Sequence, residues 1–109
     1  MNKEKVITML LKEGQESSGV ISNETPFKVG ESYLIRTVTH IDVGECAGVQ
    51  GGFIILKNAS WIADTGRYHD CLTEGEFNEV EPYPDNVFVS IGCICDATKW
   101  NHVLPKEQK

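Results

Sequence analysis

From residue 33 onward the apolar positions come in short runs of β-branched and aromatic residues, each cut off by Gly, Asn or Pro. Tyr33 to Ile41 reads as a strand. Apolar residues fall on both of its faces, Tyr33, Ile35 and Ile41 against Leu34 and Val38, which predicts cover on both sides. Asp42-Val-Gly44 is a turn or bulge, and Glu45 to Val49 is a second short strand. Gln50-Gly-Gly52 supplies the positive-φ residues of a tight hairpin. The strongest run follows, from Phe53 to about Ala63. It is long for one strand, and Asn58-Ala-Ser60 is expected to bend it so that it serves two sides of a barrel.

Asp64-Thr-Gly-Arg67 breaks that strand. Tyr68, Cys71 and Leu72 stand at i, i+3 and i+4, which predicts a short helix capped by Asp64 or Thr65 and ended by Gly75. Phe77 to Glu81 is a short strand, and Pro82 to Asn86 is a turn. Val87–Ile91 and Cys93–Ala97 are two strands, or one bent at Gly92. In residues 2–13, Val6, Met9 and Leu10 fit a short amphipathic helix, and residues 14–25 read as a polar linker. The pattern predicts one small, mainly β domain over residues 26–104. Four to six strands form a barrel with one helix, a flexible N-terminal arm over 1–25 precedes it, and a tail over 105–109 frays.

Charge narrows the partners. The chain of 109 residues carries a net charge of −6, and residues 26–100 account for all of it, with five Lys and Arg against eleven Asp and Glu. Asp70, Glu74, Glu76, Glu79, Glu81 and Asp85 follow one another among neutral residues except for one another, a solvated acidic face. Phosphate-backbone binding draws on Lys and Arg, so generic nucleic-acid binding is disfavoured. Apolar runs are too short to cross a membrane, and the expected compartment is the cytoplasm.

Candidate chemistry is sparse. The four cysteines include a Cys93-Ile-Cys95 pair, whose spacing is poor for zinc; a site drawn from His69, Cys71, Cys93 and Cys95 has no support in the pattern, and core packing is favoured. Nucleotide-loop and zinc-protease motifs are lacking, and neither a catalytic residue nor a cofactor is assigned. Arg36, His40 and Asp42 share a face if their strand is regular, with Arg36 expected to pair with a neighbouring acid. The sharpest candidate is the corner at Asp64, Thr65, Gly66, Arg67 and Tyr68, with Trp61 just before it. Helix N–H groups, a hydroxyl, a guanidinium and two aromatic rings could hold a small anionic ligand such as a nucleotide. The competing expectation is an ordinary capped helix, with Arg67 paired to Asp64 or Asp70 and Trp61 in the core.

Two resemblances add to this. Gly44-Glu-Cys-Ala-Gly48, Phe53-Ile-Ile-Leu56 and Ala59 look like the first motif of the Sm-like small β-barrels, over about residues 33–63. That resemblance implies an Sm-like or SH3-like barrel. Its RNA-contacting Asp and Asn do not carry over, since Gln50 and Phe53 or Ile54 stand at those positions. Ser60-Trp-Ile-Ala-Asp-Thr-Gly-Arg67, Asn78-Glu-Val-Glu-Pro-Tyr-Pro84 and Leu104-Pro-Lys-Glu-Gln-Lys109 resemble small proteins of tailed phages and prophages, over residues 30–109. This implies a viral origin and no particular activity. The expectation is a phage-encoded, non-enzymatic binding protein, homo-oligomeric through its strand edges, that sequesters a nucleotide-like ligand or a host defence factor. The alternative is an assembly component that docks through its acidic face and N-terminal arm.

Overall fold

The computed structural model describes residues 25–109, so the expected N-terminal helix and most of the linker lie outside the described residues. Six strands form one antiparallel sheet: β1 Ser32–Thr37, β2 Ile41–Gln50, β3 Phe53–Asp64, β4 Glu79–Pro82, β5 Val87–Ser90 and β6 Ile94–Lys99. A helix, α1, spans Tyr68–Glu74 between β3 and β4, and one turn of 3-10 helix at Ile91–Cys93 joins β5 to β6. The sheet order is β4-β3-β2-β1-β6, with β5 also paired to β3. The mainly β expectation holds. Among the described residues no ladder joins β4 to β6, so the six-stranded sheet is not closed into the expected barrel.

The expected bend of β3 falls where Asn58-Ala-Ser60 places it. Asn58 adopts φ +51°, a left-handed conformation that Asn tolerates better than most side chains. Before the bend Phe53–Leu56 pairs with β5, and after it Ser60–Asp64 pairs with β4, while β2 follows the other edge throughout. The β2–β3 register slips at Gly44, a bulge. A side chain there would sit 2.9 Å from Ala59 Cβ, so glycine lets the two strands approach.

Both faces of the sheet are covered, as the pattern of β1 predicted. Tyr33 and Ile35 join Cys46, Ile54, Leu56, Ala59 and Val89 in one buried cluster. Leu34, between them, points to the other face and joins Val43, Ile62, Cys71, Phe77, Val80 and Trp100. Alternation along β1 thus feeds two cores. Helix α1 covers the second core through Cys71. Gly75, at φ +74°, ends the helix by donating its N–H to Cys71 O, and His102 Nε2 donates to Leu72 O at 2.8 Å. These bonds satisfy two last-turn carbonyls. Lys109, in the segment expected to fray, exchanges two backbone hydrogen bonds with Val80.

One strand boundary needs correction. The strand expected over Tyr33–Ile41 stops at Thr37, and β2 begins only at Ile41. Thr37 makes the turn with its own side chain: Oγ1 accepts from His40 N at 3.0 Å and donates to His40 O at 2.9 Å. Asp42-Val-Gly44 therefore lies inside β2. Of the cysteines, Cys46 and Cys71 are buried in the cores as expected, whereas Cys93 and Cys95 are exposed; all four are free thiols. Burial pushes the Cys71 thiol up from its ordinary pKa.

Candidate functional site

The corner expected to bind an anion is internally bonded. Gly66 N donates to Asp64 Oδ1 at 2.8 Å, Thr65 Oγ1 donates to Gly66 O at 2.7 Å, and Asn78 N donates to Asp64 O at 2.9 Å. Gly66 has φ +71° and lies against the Asn78 side chain. The helix cap is neither Asp64 nor Thr65 but Arg67, whose side chain makes no capping bond. The Asp and Thr groups are used two residues earlier, in the turn itself. The Tyr68 ring packs on the second core and lies 4.4 Å beneath the Arg36 guanidinium. Arg36 also binds Asp96 through two nitrogens, one at 2.8 Å. That bond raises the Arg36 pKa and holds the Asp96 carboxyl below its usual range. The acid expected beside Arg36 is therefore Asp96, across the β1–β6 ladder.

Of the predicted site residues, Trp61 lines two hollows in the surface. It is 41 % exposed rather than in the core. Two hollows flank it, of about 330 Å3 and 370 Å3, and His40 lines both. The smaller is completed by Glu81, Pro82 and Tyr83; the larger includes Arg36, Thr37 and Thr39. Asp64, Thr65, Gly66, Arg67 and Tyr68 line neither.

Behind the smaller hollow lies Asp42, which is fully buried. Register places Ile35, Asp42, Trp61 and Glu81 in one row across β1, β2, β3 and β4, and directly paired residues share a face. Tyr83 OH donates to Asp42 Oδ1 at 2.7 Å. His40 Nε2 stands 3.0 Å from Asp42 Oδ2, an ion-pair contact off the line of a hydrogen bond, so Oδ2 lacks a hydrogen-bond donor among the described residues. On the other side of the ring, His40 Nδ1 lies 2.9 Å from Thr39 Oγ1. The imidazole is thus clamped between a hydroxyl and a carboxylate. Burial pushes the Asp42 carboxyl up, against the opposing pull of Tyr83 and His40. The Tyr83 phenol is raised in turn, by burial first and by Asp42 second. Ser60, next to Trp61, is also fully buried and its hydroxyl has no partner among the described residues.

Sequence reasoning grouped His40 with Asp42 but missed Tyr83, whose Pro-Tyr-Pro setting signals a turn and gives no hint of what lies 41 positions earlier. Among the described residues no group of three or more His, Cys, Asp and Glu is placed to hold a metal, and no helix is long and apolar enough to cross a membrane. No family model, curated protein or solved structure matches the chain.

Proposed function

We propose that this chain is a non-enzymatic binding domain that meets its ligand on the β3 face around Trp61. The observation that carries the proposal is a half-exposed Trp on a rigid strand, with a hollow on either side and an ordered imidazole common to both. A large ring at low entropic cost beside fixed polar groups is the usual composition of a recognition site. A nucleotide-like ligand stacking on Trp61 remains within this proposal, with Arg36 as a cation in the larger hollow.

The test is an amide NMR titration of the full chain with nucleotides, small organic cations and short acidic and basic peptides. The proposal expects at least one of these to shift resonances of residues 40, 61 and 81–83, with the response lost in Trp61→Ala. A panel that leaves these resonances in place overturns it.

A second reading, self-assembly, is favoured by a separate observation. Phe53 and Phe88 are exposed together on one face of β3 and β5, and Gln50, Phe53, Ile55 and Phe88 line a small apolar hollow there. Apolar clusters of this kind mark contact surfaces. Light scattering of the wild type against Phe88→Ser checks it: an assembly that persists unchanged in the variant removes this patch from the interface.

A further inference from the structure

We infer that the hollow lined by Trp61, Tyr83, Glu81, Pro82 and His40 is a site for an organic ammonium ion, the chemistry shared by choline-like molecules and lysine side chains. The inference rests on the binding-domain proposal and names the ligand class.

Four observations converge on it. Two aromatic side chains, Trp61 and Tyr83, line the hollow, and the faces of such rings attract cations. Glu81 is the register partner of Trp61, which puts an exposed carboxylate beside the indole. Behind these walls stands Asp42, fully buried, with an oxygen that lacks a hydrogen-bond donor among the described residues. Tyr83 and His40, the two side chains against that carboxyl group, both line the hollow. Finally, Arg36 lines the other hollow and is engaged by Asp96 and Tyr68, while the chain as a whole carries −6. An anion would meet the exposed Glu81 carboxylate here. A cation would be drawn in by it. The hollow of about 330 Å3 is at the small end for a ligand site, which suits a head group.

The fold already contains one cation held over a ring in this manner, Arg36 over Tyr68. At Trp61 the ring and the carboxylate are present and the cation would come from outside.

The experiment is an amide NMR titration of the full chain with choline and with its uncharged isostere 3,3-dimethyl-1-butanol. Further arms use n-butylammonium for the lysine head group and AMP as an anion. Choline or butylammonium should shift residues 40, 61 and 81–83 and bind roughly 3- to 30-fold tighter than the neutral alcohol. The preference for choline over butylammonium, or the reverse, assigns the source. Trp61→Ala should abolish binding, and Glu81→Gln should weaken it severalfold; both residues are exposed, and an unchanged spectrum around Trp100 verifies the fold. Equal binding of choline and the alcohol overturns the inference. If AMP shifts these resonances and the cations do not, the ammonium assignment fails while the binding-domain proposal stands. If nothing in the full panel shifts them, both fail.

Discussion

Removal of one oxygen atom tests the central geometry of the site. Tyr83→Phe keeps the ring against the first core and deletes only the hydroxyl that donates to Asp42. Burial raises the folded-state pKa of Asp42, so the stability linked to this group is fully present below its unfolded value and is lost as pH rises through the folded value. The Tyr83 hydroxyl limits that loss because it favours the carboxylate. In the variant the folded pKa climbs further, and the decline continues to higher pH. Where Asp42 is protonated, at the low end of the pH range, the lost bond is a neutral one worth about 0.5–1.5 kcal/mol. Where Asp42 is ionised, at the high end, it is charge-assisted and worth about 1.5–3 kcal/mol. The penalty should therefore grow with pH, at no more than about 1.4 kcal/mol per pH unit. Urea unfolding followed by Trp fluorescence across this range measures it. In an Asp42→Asn background the same substitution should cost the same at every pH. A penalty under about 0.5 kcal/mol throughout, or one that shrinks as pH rises, would refute the reasoning.

Three further outcomes follow from backbone geometry. Gly75→Ala places a Cβ 2.5 Å from the His102 ring at a left-handed position, and should cost about 1–3 kcal/mol in urea unfolding; in a His102→Ala background the cost should fall to the left-handed component of about 1 kcal/mol. Gly44→Ala forces β2 from β3 at Ala59 and Leu56, and should lower stability by about 1–3 kcal/mol, read as a shift in the urea midpoint at unchanged slope. Asn58→Gly relieves a positive φ and should be neutral or stabilising by up to about 1 kcal/mol in thermal unfolding, whereas Asn58→Val should be clearly destabilising.

Where chain direction changes through glycine or a left-handed Asn, the sequence was informative. Gly51-Gly52, Asn58 and Gly75 each mark a feature that the structure contains, because few residues adopt those conformations without strain. The turn at Val38–His40 carried no such mark. Its residues are β-branched or aromatic-like and favour strand, and what overrides them is one hydroxyl, Thr37 Oγ1, with both partners on His40. The Trp61 hollow was legible only in part. Trp61 was singled out, and His40 and Asp42 were seen as neighbours. Their closure by Tyr83 depends on β4 pairing with the second half of β3, a long-range contact that no local pattern encodes. The 64–68 corner is ambiguous in sequence for the opposite reason. Its residue types suit an anion, but the same groups serve equally well to knit a turn.

Strand β1 is a party wall. Tyr33 and Ile35 lean into one core and Leu34 into the other, while β2 and β6 flank it on either edge. Neither core can be dismantled while its neighbour stays whole, because each would have to pull out the strand they share. Heat or denaturant should consequently find a single melting event, reported alike by probes on the helix side and on the β5 side. The amides of β1 should be the last in the molecule to exchange with deuterium, and only through complete unfolding.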